Sequence, residues 1–130
     1  MTELRAIYKC TVCDNVVEVL RTGIGTLVCC GEDMEELKAR SEDKGLEKHV
    51  PIIEEIADGI LASVGDVPHP MEEDHYIKLI EVLTEDKVLR AELEPGQKPR
   101  AKFKVAKGEI VRVREFCTVH DLWKKTKNPD

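Results

Sequence analysis

The sequence is short of aromatic side chains, with one Trp, two Tyr and two Phe among 130 residues. A large aromatic-rich core is therefore excluded. No apolar run approaches the roughly 20 residues of a membrane span. The first residues, Met1-Thr2-Glu3-Leu4-Arg5, lack the basic-then-apolar pattern of a secretory leader, so a cytoplasmic location is expected. Cationic charge is also scarce. The 20 Lys and Arg are outnumbered by 26 Asp and Glu, and the net charge of −6 argues against nucleic acid as a main partner. Repeats and low-complexity tracts are absent. A chain of 130 residues holds one ordinary domain, or a small one and a medium one.

The chain does have metal-donor side chains. Its five cysteines and four histidines divide into two patterns with none left over. An odd cysteine count in a reducing compartment reads better as metal ligation than as disulfides. Cys10-Thr11-Val12-Cys13 lets two thiolates grip one ion from a tight turn, and Cys29-Cys30 closes a tetrahedron from a second segment. Adjacent cysteines point to opposite sides of a regular strand, so irregular backbone is expected there. Zinc and iron both accept four thiolates, and the motif does not choose between them. Asp14 and Asn15 follow the second cysteine, where a left-handed backbone is expected and these residues tolerate it.

The second pattern is His49, His69, His75, Cys117 and His120. All five fall at expected strand ends or loops, where the loops of a sandwich converge. Prolines flank His69 and stiffen its backbone. Five nitrogen and sulfur donors exceed the four that structural zinc prefers. Imidazole suits iron, and a thiolate raises the electron density there. A sixth position can stay open for chemistry.

Periodicity points to an all-β protein. Ala6–Lys9 and Val16–Leu20 read as short strands, and 34–40 reads as one or two helical turns or none. The polar stretch 40–46 reads as a linker. Beyond it, Val50–Ala57 and Ile60–Val64 flank an Asp58-Gly59 hairpin signal. Tyr76–Thr84, Leu89–Leu93, a strand through Phe103 and one ending at Phe116 follow. Six or seven strands with regular turns suggest an immunoglobulin-like antiparallel sandwich. The segment 124–130 reads as a solvated tail. Trp123 and Met71 read as packing residues, while Lys78, Arg112 and Arg114 read as outer-face residues without a role.

Tyr8-Lys9-Cys10-x-x-Cys13 with Leu27-Val28-Cys29-Cys30-Gly31 resembles the desulforedoxin-like domain of the desulfoferrodoxins, the two-iron superoxide reductases. Glu47-Lys48-His49-Val50-Pro51, His69-Pro70-Met71, His75-Tyr76-Ile77 and Cys117-x-x-His120 resemble the catalytic domain of the same family. The resemblance spans nearly the whole chain. It implies a desulforedoxin-like domain over 1–39, a linker over 40–46 and a catalytic β-sandwich over 47–130. It implies two iron ions per chain, one Fe(Cys)4 and one Fe(His)4Cys, the latter with four equatorial histidines and an axial Cys117. It further implies one-electron reduction of superoxide to hydrogen peroxide, electron storage or relay at the Fe(Cys)4 centre, a rubredoxin-like electron donor and a homodimer. Lys48 is the candidate for steering the superoxide anion, since a cation beside the open site raises the local anion concentration. The resemblance gives Glu47 the role of closing the sixth position on oxidised iron. The chain departs from the family at Asp14 and Asp121, where glycine is common, and at Thr118, where asparagine is common. The rival reading is a zinc-stabilised β-sandwich interaction module without redox activity.

Overall fold

The computed structural model describes residues 1–41, 49–65 and 69–126. It divides into two compact units, Met1–Lys38 and Ala39–Asp130. Both are built from antiparallel strands.

In the first unit, β1 (Ile7–Lys9) lies between β2 (Val16–Glu18) and β5 (Glu35–Leu37). A separate hairpin pairs β3 (Val28–Cys29) with β4 (Glu32–Asp33). The segment after Met34, which left a helical turn open on sequence, is thus a strand through Leu37. Pairing with the free edge of β1 decides this, and no local pattern announces it. Ile7, Cys10, Val19 and Leu37 are its buried apolar side chains among the described residues. That set is too small to stabilise a fold by burial alone.

The second unit is a two-sheet sandwich. One sheet runs β10-β7-β6, from β6 (Pro51–Ile56), β7 (Gly59–Val64) and β10 (Arg100–Phe103). The other runs β12-β11-β8-β9, from β8 (Ile77–Leu83), β9 (Val88–Glu92), β11 (Arg112–Cys117) and β12 (Asp121–Thr126). Ile60, Ala62 and Val64 alternate inward from β7 and meet Ile80, Val82 and Val113 of the facing sheet. The hairpin turn sits one residue earlier than the sequence suggested, at Ala57-Asp58, and Gly59 already pairs with Ile56. A Cβ at Gly59 would run into the carbonyl oxygen of Phe103, so glycine there serves the close approach of β10.

Three further expectations change. Lys124–Thr126 is not a tail but the end of β12, paired with Arg112–Arg114. Arg40, placed at the start of the linker, forms a bridge with Trp123. Residues 42–46 of that linker lie outside the described residues, as do 127–130. Arg114 does not sit on a solvated face. It is buried, and its Nε donates to Glu81 Oε1 at 2.6 Å, while Arg90 Nε donates to Glu81 Oε2 at 2.7 Å. The fully buried Glu81 thereby gains two charge-assisted partners.

Candidate metal centres

The cysteine set is assembled by two tight turns. Cys10 N–H donates to the Asn15 carbonyl and Asp14 N–H donates to the Cys10 carbonyl, closing a knuckle after β1. Asp14 has φ 66° at its corner, the left-handed backbone expected there. On the other side Cys29 ends β3, while Cys30 has φ 55° and Gly31 φ 76°. The reversal turns both adjacent sulfurs toward one point. Cys13 Sγ lies 3.5 Å from Cys29 Sγ, and Cys29 Sγ lies 3.9 Å from Cys30 Sγ. A tetrahedron with metal–sulfur bonds of about 2.3 Å has edges of about 3.8 Å, so the donor set fits one four-coordinate ion.

Backbone N–H groups of Cys13 and Val12 point at Cys10 Sγ and hold its thiol down to about 7. Hydrogen bonding with Cys13, then Cys29, pushes Cys30 up to about 12. Four sulfurs this close resist ionising together, and a bound cation is what makes four thiolates compatible. The Asn15 amide also faces Cys29 Sγ, at 4.0 Å.

The histidine–cysteine set forms at one end of the sandwich. His49 precedes β6, His69 follows β7 and His75 precedes β8. Cys117 ends β11, and His120 lies in the turn before β12. In antiparallel sheets the start of one strand lies beside the end of its neighbour, so Pro51 meets Val64 and Cys117 meets both Ile77 and Asp121. Register alone collects donors that are far apart in sequence. A shift in register between Phe116 and Cys117 re-aims the thiol at the end of β11.

The four imidazoles form a closed ring in the order His49, His69, His75, His120. Successive centroids are 4.8, 4.8, 5.1 and 4.7 Å apart, and each ring meets the next edge-on. The donor atoms of all five residues lie within 4.8 Å of one another. Cys117 Sγ is 3.3 Å from His69 Nε2 and 3.8 Å from His120 Nδ1. His69 Nδ1 donates to the Pro70 carbonyl at 2.7 Å, which leaves Nε2 as the free lone pair. His49 Nε2 and His120 Nδ1 face each other at 3.0 Å. His75 Nε2 is buried with no hydrogen-bond partner, as expected of an atom reserved for a metal.

Burial holds His69 down to about 4, so its ring is neutral near pH 7, the state a ligand needs. Burial pushes the Cys117 thiol up, against the N–H groups of His120 and Val119. A cation at the centre of the ring would reverse that and hold the thiolate. The chemistry of five soft-to-borderline donors fits iron and leaves one donor too many for structural zinc.

Glu47 and Lys48 lie outside the described residues. Met71 packs on the sandwich core, and its sulfur accepts the Ile77 N–H at 3.4 Å. Trp123 is more than packing. It stacks on His49 with 4.5 Å between centroids and 14° between planes, and its Nε1 donates to the His120 carbonyl at 3.0 Å. The only signal in the sequence was its position three residues after His120. The departures from the family pattern also find places. The Thr118 hydroxyl accepts the Tyr76 N–H at 3.1 Å and so ties the turn after β11 to the start of β8. Asp121 has φ 65°, a left-handed position where glycine is the unstrained choice.

Comparison with known proteins agrees with this arrangement. The desulfoferrodoxin family model matches residues 41–126, and that of the desulfoferrodoxin N-terminal domain matches residues 2–37. A desulfoferrodoxin homolog of Methanothermobacter thermautotrophicus is 52% identical over 123 residues, covering 95% of this chain and 99% of that protein. The superoxide reductase of Pyrococcus horikoshii is 35% identical over 102 residues, covering 65% of this chain and 89% of that protein. In fold, the crystal structure of the superoxide reductase from Treponema pallidum superposes with a TM-score of 0.77 at 22% identity, covering 93% of this chain and 97% of that one. With both units matched in chain order and a relative that shares half its residues end to end, this chain belongs to the desulfoferrodoxin family.

Proposed function

We propose that the protein is a superoxide reductase, which converts superoxide, one electron and two protons into hydrogen peroxide. The observation that carries this reading is the closed ring of four imidazoles with the Cys117 thiol against it, five donors converging where structural zinc would use four. The related protein from Pyrococcus horikoshii bears the same activity in its name. His49, His69, His75, His120 and Cys117 would hold one iron, and Cys10, Cys13, Cys29 and Cys30 a second. Held there, iron at the histidine–cysteine set would supply the single electron, and iron at the cysteine set would store or relay the next one.

The protein's own groups do the rest. Lys48, next to His49 in the chain, draws the anion by its charge and orients a water that delivers a proton to the departing peroxide. Glu47 offers a hard carboxylate oxygen that suits the oxidised ion. Removing it should shift the spectrum of the oxidised centre, and an unshifted spectrum in Glu47→Ala would rule out ligation. The domains run over 1–39 and 47–130 with a linker over 40–46; the two compact units and the two matched family segments support the division into a small and a larger part, not the linker's bounds. The protein works as a cytoplasmic homodimer that takes electrons from a rubredoxin-like donor. No helix among the described residues is long and apolar enough to cross a membrane.

The test begins with metal content in protein purified without added metal, followed by superoxide decay. Two irons per chain, with peroxide formed and no dioxygen released, is the expected result. Dioxygen release would indicate a dismutase. Zinc alone, with no superoxide consumption, would restore the interaction-module reading.

A further inference from the structure

Trp123 is the only tryptophan of the chain. The four histidine pairs around the ring meet at 66–88°, whereas Trp123 lies nearly parallel to His49 at 14°. The same indole donates its N–H to the His120 carbonyl. One side chain thus touches two adjacent members of the ring, and these are the two whose nitrogens face each other at 3.0 Å. The indole is itself held. The Arg40 guanidinium lies over it, 5.3 Å from the centroid. Arg40 is pinned on both sides of Trp123, with its N–H donating to the Leu122 carbonyl at 3.0 Å and its carbonyl accepting the Lys124 N–H at 2.8 Å.

An imidazole turns easily about its outer torsion, whose energy wells are broad. A metal ligand must instead keep its ring plane aimed at the ion, and the groups that restrain it tune affinity as strongly as the ligands do. For His69 a hydrogen bond to the Pro70 carbonyl supplies a restraint. We propose that Trp123, seated by Arg40, is a positioning residue of the histidine–cysteine centre. It fixes the ring plane of His49 by stacking and the placement of His120 through its carbonyl, so that His49 Nε2 and His120 Nδ1 aim at one point. Arg40 acts one step further out, by holding the indole. The inference rests on the reading that these five donors bind iron.

The test uses the iron-loaded full chain and three variants, Trp123→Leu, Trp123→Phe and Arg40→Gln. The readouts are the rate of iron release from the histidine–cysteine centre to a chelator and the electron paramagnetic resonance spectrum of its ferric state. Trp123→Leu should release iron about tenfold faster and change the ferric spectrum. Trp123→Phe keeps a stacking ring but loses the N–H, so it should release iron a few-fold faster with a smaller spectral change. Arg40→Gln, on an exposed side chain, should accelerate release about two- to fivefold. A purely structural role would lower the unfolding temperature while the folded holoprotein kept its release rate and spectrum. That result in Trp123→Leu would overturn the inference. If Trp123→Leu does not fold, the same result in Trp123→Phe would do so. Failure of the underlying reading looks different. The wild-type protein would then carry no iron at this centre, and Trp123 emission would not change when ferrous iron is added to the metal-free chain.

Discussion

In the unit spanning Met1–Lys38 the buried apolar side chains are Ile7, Cys10, Val19 and Leu37, and one of these is a proposed metal donor. In the unit spanning Ala39–Asp130 they run from Ile60 to Trp123 through both sheets. The small unit also leaves Leu4, Val12, Leu20, Ile24 and Val28 exposed, and two of its four cysteines as well. In the large unit Cys117, His49 and His69 are buried. The contrast locates the source of each site's stability. In the first unit a bound metal would hold two turns together, and its binding free energy would be much of the folding free energy. In the second the register of a packed sandwich brings the donor-bearing strand ends together.

Metal removal should break this comparison most visibly. A chelator acting on the full chain, or Cys13→Ser, is expected to abolish the dispersed amide resonances of residues 1–38 while those of the sandwich persist. Superoxide reduction should survive Cys13→Ser. A first unit that stays folded without metal would show that its few buried side chains suffice. Next comes Glu81→Ala, which leaves the buried Arg114 without the carboxylate at 2.6 Å. Urea unfolding should show a loss of about 3–5 kcal/mol, confined to the sandwich, with the absorption of the cysteine centre unchanged. A smaller effect is expected from Lys48→Ala, which should slow superoxide consumption about tenfold at low ionic strength and flatten its salt dependence. Unchanged rates at low salt would sink the steering role. The smallest is Asp121→Gly. Relief of the left-handed backbone at φ 65° should add about 1 kcal/mol of stability. A loss instead would mean that the Asp121 side chain gives more than the backbone costs.

Sequence reading went furthest where donors are close together. The Cys10 and Cys13 knuckle, the irregular Cys29-Cys30 step and the left-handed Asp14 follow from spacing and backbone sterics. The strands of β6, β7, β8 and β9 were legible because short apolar runs were bounded by turn residues. Where pairing is non-local the pattern failed. Beside β12, lysines 124 and 125 mask the apolar pair Leu122-Trp123, so only the ladder with β11 reveals the strand. Arg114 looked solvated because its partner, Glu81, is 33 residues away along the chain. Trp123 looked like filler because nothing local links it to His49.

Composition and spacing set the inventory of donors and their division into a four-sulfur set, open to zinc or iron, and a four-nitrogen, one-sulfur set better suited to iron. Ligand preference is a property of side-chain atoms, and those are written in the chain. The tertiary structure alone decided the cyclic order of the imidazoles, the choice of Nδ1 at His120 against Nε2 at His69, and the indole stacked on His49. Those outcomes depend on strand register across two sheets, where a shift of one residue turns a side chain to the opposite face.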